Sequence, residues 1–256
     1  MGFGFWVLHL SKVDNIMTSI ELTAPAKVNL FLKVLGKRKD GYHNILTVFE
    51  RITLEDRIRI SKIPSGIEIV CNKPITKNPK ENLAYKAAKA ILEKKKISVG
   101  VKIQIRKNIP IAAGLGGGSS DAAAVLTGIN RLFRLGLDKK NLMAIGSGLG
   151  ADIPFFILDE TFAAGRGIGD KLAIIKSSMR FWHLLIYPGF GVSTARVYAD
   201  FKEPNGLTTG GRGVKIRPSE FPFHNNLQAT VVKKRPVIGE ILRRLANLSV
   251  LSLIHI

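Results

Sequence analysis

The sequence predicts a mixed α and β fold of the α+β class, and three observations carry that reading. Segments of period-two apolar alternation exchange with longer segments of helical spacing. Glycine and proline clusters punctuate the joins, and no internal repeat or low-complexity tract interrupts them. With 256 residues, 46% of them hydrophobic, the chain has the apolar content for one large or two smaller domains.

Taken in order, Leu30 to Val34 reads as a short strand, Gly36 to Gly41 as a turn, and Ile45 to Ile52 with Asp56 to Ile60 as further strand in a meander. Ile67 to Cys71 is another strand. Asn82 to Lys96 places apolar residues at helical spacing among strong helix formers, with Asn82 as the N-cap. Val99 to Ile105 alternates as a half-buried strand and runs into Lys107-Asn108-Ile109-Pro110, where a loop must begin. Ser119 to Phe133 opens on Ser and Asp and continues Ala-rich, which signals a helix start, and Lys139 to Leu149 predicts a further helix. Beyond a glycine-rich segment from Phe162 to Leu172, Trp182 to Tyr187 reads as a buried strand. Lys202 to Phe221 carries Pro and Gly at intervals typical of loops.

Charge and cysteine content narrow the function classes. Lys and Arg number 39 against 19 Asp and Glu, a net charge of +20. Such a surplus invites a nucleic-acid partner. Its clusters at Lys37-Arg38-Lys39, Lys94-Lys95-Lys96, Lys233-Lys234-Arg235 and Arg243-Arg244 are dispersed, however, and read as solvated surface. Cys71 is the single cysteine, so an intramolecular disulfide and a multi-cysteine zinc site are excluded, and the composition suits the cytoplasm. No apolar run reaches the ~18–20 residues that span a bilayer. Phe3 to Leu10 is apolar but lacks the basic start and cleavage site of a secretory signal, so residues 1–16 read as an N-terminal extension ahead of Met17.

The segment richest in chemical information is Pro110-Ile111-Ala112-Ala113-Gly114-Leu115-Gly116-Gly117-Gly118-Ser119-Ser120, set between an alternating strand and a helix start. Its glycines let backbone N–H groups approach a ligand without interference from Cβ. The following helix aims its unpaired N–H groups and the positive end of its dipole at the same space, which suits phosphate. Ser119 and Ser120 add hydroxyls suited to phosphate or Mg²⁺. The pattern is neither a P-loop, because no Lys follows the glycines, nor a Rossmann fingerprint, because Ser119 takes the third glycine position.

This segment, continued by Asp121-Ala122-Ala123, resembles the phosphate loop of the GHMP kinase superfamily. Two further motifs, Ala24-Pro25-Ala26-Lys27-Val28-Asn29-Leu30 with Asp40-Gly41-Tyr42-His43, and Gly150-Ala151-Asp152-Ile153-Pro154-Phe155, resemble its branch that phosphorylates a cytidine diphosphate conjugate of methylerythritol. The resemblance runs from about Ile20 to Arg244. It implies a two-domain fold: a nucleotide and substrate domain like the second domain of ribosomal protein S5 over residues 17–160, and a ferredoxin-like domain over 161–256. It also implies ATP-dependent phosphorylation of the 2-hydroxyl of that conjugate in non-mevalonate isoprenoid biosynthesis, with ATP and Mg²⁺ as cofactors and no specific nucleic-acid or membrane partner.

By the same resemblance, Asp152 accepts the hydroxyl proton and Lys27 orients it and neutralises negative charge on the moving oxygens. Asn29, two residues along an extended strand from Lys27, shares its side and contacts substrate or Asp152. Tyr42 and His43 are expected at the cytosine, Tyr198 supplies a second aromatic against it, and Arg166 in Gly165-Arg166-Gly167-Ile168-Gly169 is a candidate phosphate contact. Metal ligands stay unassigned. Two alternatives stay open: a superfamily kinase for mevalonate or homoserine, and a basic RNA-binding protein on a related fold. The chain departs from the family after the helix resembling Arg235 to Leu248. It ends in Ser249 to Ile256 without a second glycine-rich loop, so an incomplete C-terminal domain is expected.

Overall fold

A long hairpin forms the frame of the molecule. Strand β1 (Ser19–Lys37) and strand β2 (His43–Ile63) run antiparallel along nearly their whole lengths. The turn between them is fixed by the Arg38 guanidinium on the Asp40 carboxylate and by Gly41 at φ 87°. The computed structural model describes residues 17–202 and 223–246. The expected extension at 1–16, the tail at 249–256 and nearly all of the loop expected at 202–221 lie outside the described residues.

The strand expected at Leu30 to Val34 is only the middle of β1. The alternation breaks where Lys27 and Asn29 are buried among apolar neighbours, and the strand continues through that break by bulging at Pro25/Lys27, Asn29/Phe31 and Val34/Gly36. Strand β2 serves two partners on its other edge. Its second half pairs with β4 (Gly100–Arg106), its first half with β5 (Phe162–Arg166), which continues antiparallel into β6 (Lys171–Ile174). Strand β3 (Ile67–Cys71) lies parallel to β4, joined to it through helix α1 (Leu83–Lys94). A two-residue strand, β7 (His224–Asn225), pairs with β1 at Phe31 and Leu32.

Helices α1, α2 (Gly117–Leu132), α3 (Lys139–Ser147) and α4 (Ile153–Leu158) bury their apolar residues with the inward face of β2 and β4. Ile58, Ile60, Ile103, Ile91, Ile129 and Phe155 are fully buried there. Each contributes roughly 1.5–3 kcal/mol by leaving water. Asn82 caps α1 as expected, its Oδ1 accepting the Ala84 N–H at 2.9 Å. A second cluster, including Val28, Leu30, Val48 and Phe162, is covered by Phe181 and Phe223. A third joins Leu32, Val34 and Ile45 to Val197 of α5 (Thr194–Asp200) and Val231 of α6 (Gln228–Lys234), with α7 (Pro236–Ala246) adding Ile238 and Leu242.

One expectation fails. Trp182 to Tyr187 is neither strand nor buried: Trp182 and Leu184 are exposed, and among the described residues no strand pairs with the segment. An apolar run reads as core by composition alone, but a strand also needs a neighbour to satisfy its backbone groups.

Candidate active site

The bulged middle of β1 carries the first two groups. Lys27 and Asn29 are both buried, and the Lys27 ammonium donates to Asn29 Oδ1 at 2.6 Å. Lys27 Nζ lies 3.9 Å from the Asp152 carboxylate and 5.7 Å from the centre of the Phe49 ring. Burial holds the ammonium below its ordinary range, and the Asp152 charge offsets part of that drop. Asp152 itself stands at the N-cap of α4 without capping a backbone N–H by its side chain, and is partly exposed. Its carboxylate is therefore available to a ligand.

The glycine loop closes against the same strand. The Lys27 backbone N–H donates to Leu115 O at 2.9 Å, so the lysine and the loop are joined through the main chain. Gly116 has φ 70°, and a Cβ there would stand 2.9 Å from Phe156 and 3.0 Å from Lys27 Cγ. Only glycine fits. Gly116 is also the N-cap of α2, with no side chain capping the helix, so the amides of its first turn are left for an anion. The helix starts at Gly117, two residues before the expected Ser119, because the glycines themselves enter it. The Ser119 hydroxyl lies 3.9 Å from where a Gly150 side chain would begin, which brings the loop beside the Gly150 to Asp152 motif.

The expected base-binding residues divide. His43 is buried and stacks on the Tyr198 ring at a centroid distance of 5.4 Å, with Phe201 edge-on at 6.4 Å. Burial, and then the Asp152 carboxylate, push the Tyr198 phenol above its ordinary range, so this ring is within electrostatic reach of the Lys27 and Asp152 pair. Tyr42 lies at the surface: it is 60% exposed, and its backbone N–H is held by Asp40. Arg166 lies exposed at the end of β5. Among the described residues, no three His, Cys, Asp or Glu side chains gather as a metal cluster.

Comparison with known proteins decides the family. Residues 82–160 match the GHMP kinases N terminal domain. A 4-diphosphocytidyl-2-C-methyl-D-erythritol kinase of Geobacter metallireducens is 42% identical over 233 residues, covering 90% of this chain and 83% of the relative. One from Acetivibrio thermocellus is 48% identical over 186 residues, 73% of this chain and 65% of the relative. A crystal structure of 4-(cytidine 5'-diphospho)-2C-methyl-D-erythritol kinase superposes with a TM-score of 0.69 at 35% identity, over 90% of this chain and 84% of that one. The chain belongs to the 4-diphosphocytidyl-2-C-methyl-D-erythritol kinase family. Its fold is that of the GHMP kinases; a homoserine kinase structure at 17% identity and a TM-score of 0.51 shares the fold alone.

This kinase contains a group of buried charges that the sequence reading passed over. Asp56 in the second half of β2, Lys107 just past β4 and Asp121 in the second turn of α2 are all buried together. The Lys107 ammonium donates to both carboxylates, to Asp121 at 2.9 Å. Asp56 also accepts the backbone N–H groups of Asn108 and Ile109, at 2.6 and 2.9 Å. Asp121 Oδ1 is left without a partner. Two carboxylates share one ammonium, and Asp121 is pushed up, to about 7, by burial first and by Asp56 against the pull of Lys107. A signal was present: Asp56 is in phase with Ile58 and Ile60, and Lys107 with Ile103 and Ile105, so both sit in the inward register of their strands. A charge in that register requires a buried partner.

Proposed function

We propose that this kinase transfers the terminal phosphoryl group of ATP, taken as its Mg²⁺ complex, to the 2-hydroxyl of 4-diphosphocytidyl-2-C-methyl-D-erythritol. The relatives are named for that substrate. The observation that carries the reading is the Lys27 backbone bond to Leu115, which holds the cation, the Asp152 carboxylate beside it and the phosphate loop in one place.

Asp152 takes the proton of the attacking hydroxyl, and its partial exposure leaves it open to that hydroxyl. Lys27 stabilises negative charge on the attacking and transferring oxygens, a role strengthened by its dry setting. Asn29 holds Lys27 and meets the acceptor alcohol. Residues Pro110 to Ser120 take the triphosphate on the amides that open α2. When bound with ATP, Mg²⁺ supplies charge neutralisation along the phosphates. The protein groups beside it are the Ser119 and Ser120 hydroxyls, and the buried, unpartnered Ser120 Oγ is suited to such a contact. Tyr198, His43 and Tyr42 serve the cytosine. On this reading, residues 17–160 form the nucleotide and substrate domain, 161–256 belong to the second domain, and the enzyme works in the cytoplasm.

The test is ADP release with ATP, Mg²⁺ and each of three acceptors: the cytidine conjugate, mevalonate and homoserine. Turnover is expected with the first alone. Asp152→Asn should lower kcat by about 10²- to 10⁴-fold while nucleotide binding persists. Preferred use of another alcohol, or full turnover without the Asp152 carboxylate, overturns the assignment.

A further inference from the structure

Lys27 is held by a chain of hydrogen bonds whose direction is forced at every link. The Phe31 carbonyl can only accept, so the Thr47 hydroxyl donates to it, at 2.7 Å. With its one proton committed, Thr47 Oγ1 can only accept from Asn29, whose Nδ2 lies 2.7 Å away. That fixes the orientation of the Asn29 amide and turns its Oδ1 toward Lys27, which has only donors to offer, at 2.6 Å. The relay is dry from end to end, for Thr47, Asn29 and Lys27 are all buried.

The backbone explains why the relay starts where it does. The hairpin changes register between Asn29, opposite Phe49, and Phe31, opposite Val48. At this bulge the Thr47 hydroxyl on the neighbouring strand reaches a main-chain carbonyl. Asn29 and Lys27 lie two residues apart on the same side of β1, next in line.

We propose that Thr47 is a positioning residue for phosphoryl transfer: its hydroxyl sets the orientation of the Asn29 amide and thereby holds the Lys27 ammonium at its station beside Asp152. The inference rests on the assignment of Lys27 given under Proposed function. Thr47 touches neither reacting group. An amide without a fixed orientation presents N–H₂ to the ammonium in part of its population, and that arrangement repels Lys27 from its place.

Two substitutions separate the hydroxyl from its packing. Thr47→Val keeps the shape and removes the relay, whereas Thr47→Ser keeps the hydroxyl and removes the methyl group. Thr47→Val should lower kcat by roughly 10- to 100-fold, the scale of a displaced catalytic group. KM for ATP should stay within about twofold, and Thr47→Ser should recover most of kcat. The side-chain amide signals of Asn29 in NMR should be sharp and protected from solvent exchange in the unaltered protein and in Thr47→Ser, and broadened or unprotected in Thr47→Val. Unchanged kcat in Thr47→Val, or equal loss in both variants, overturns the proposal, as does an Asn29 amide that stays protected in Thr47→Val. The NMR reading holds without turnover, so a failure of the kinase assay in the unaltered protein counts against the proposed function and leaves the relay to be judged by Asn29.

Discussion

The phosphate loop is flanked by two buried lysines that share a residue type and a burial of 3% exposure yet live in opposite electrostatic settings. Lys27 has a neutral amide at 2.6 Å and its carboxylate at 3.9 Å, and burial lowers its proton affinity. Lys107 is gripped by two carboxylates, which outweigh burial and raise its proton affinity. Depth alone therefore says little about a lysine's role. An ammonium with an incomplete partner set has attraction to spare for a moving phosphoryl group, while one with a surplus of partners is spoken for. On the proposed assignment the first belongs to chemistry, and the second to architecture, because Asp56 ties Lys107 to the start of the loop and Asp121 ties it to the helix beyond.

Exchanging each lysine for methionine breaks the comparison most sharply. Lys107→Met strands two carboxylates in the interior, and denaturant unfolding should show a loss of about 3–5 kcal/mol or no folded protein. Lys27→Met should leave stability level or higher, since a desolvated charge disappears, while kcat falls roughly 100- to 1000-fold. Equal stability losses in the two variants would erase the distinction. Next in size is Gly116→Ala, which forces φ 70° on a residue with a side chain and drives a Cβ against Lys27 Cγ. It should cost about 1–3 kcal/mol and depress kcat together with ATP affinity. Gly118→Ala, whose Cβ meets no protein atom closer than Leu83 at 3.7 Å, should leave stability nearly unchanged in the same unfolding assay.

The remaining contrasts are those of pH. The Asp121 carboxyl is raised from 3.8 to about 7 in the folded protein, so folding favours its protonated form. That stabilisation is complete below about pH 4 and fades as pH rises toward 7 and beyond. Thermal midpoints measured from pH 4 to 8 should decline in the unaltered protein and decline less in Asp121→Asn. At the other end, the alkaline limb of kcat should fall below the ordinary lysine value of 10.5, because Lys27 surrenders its proton early.

The sequence made the glycine loop legible because glycine leaves few other readings at a strand-to-helix junction, and the structure bonds that loop to Lys27 through the main chain. It made α1 legible through its cap and spacing. It understated β1, since Lys27 and Asn29 interrupt the apolar pattern that marks a strand; local rules fail where function overrides them. Thr47 and Lys107 escaped notice for a different reason. Their importance lies in partners far along the chain, Asn29 for one and Asp56 for the other, and one-dimensional patterning carries no such pairing. Trp182 to Tyr187 was misread because composition reports apolarity without reporting a neighbour.

The β1 and β2 hairpin also sets an order of events during synthesis. Its two strands are close in sequence and can pair soon after they leave the ribosome, whereas Asp152 and the loop residues that complete the pocket emerge much later. For that interval Lys27 lacks the cover of the glycine loop and of Phe156, which meet it in the folded protein. On the proposed assignment the lysine's reactivity is conferred by the later half of the domain, when α2 and α4 arrive and shut the water out.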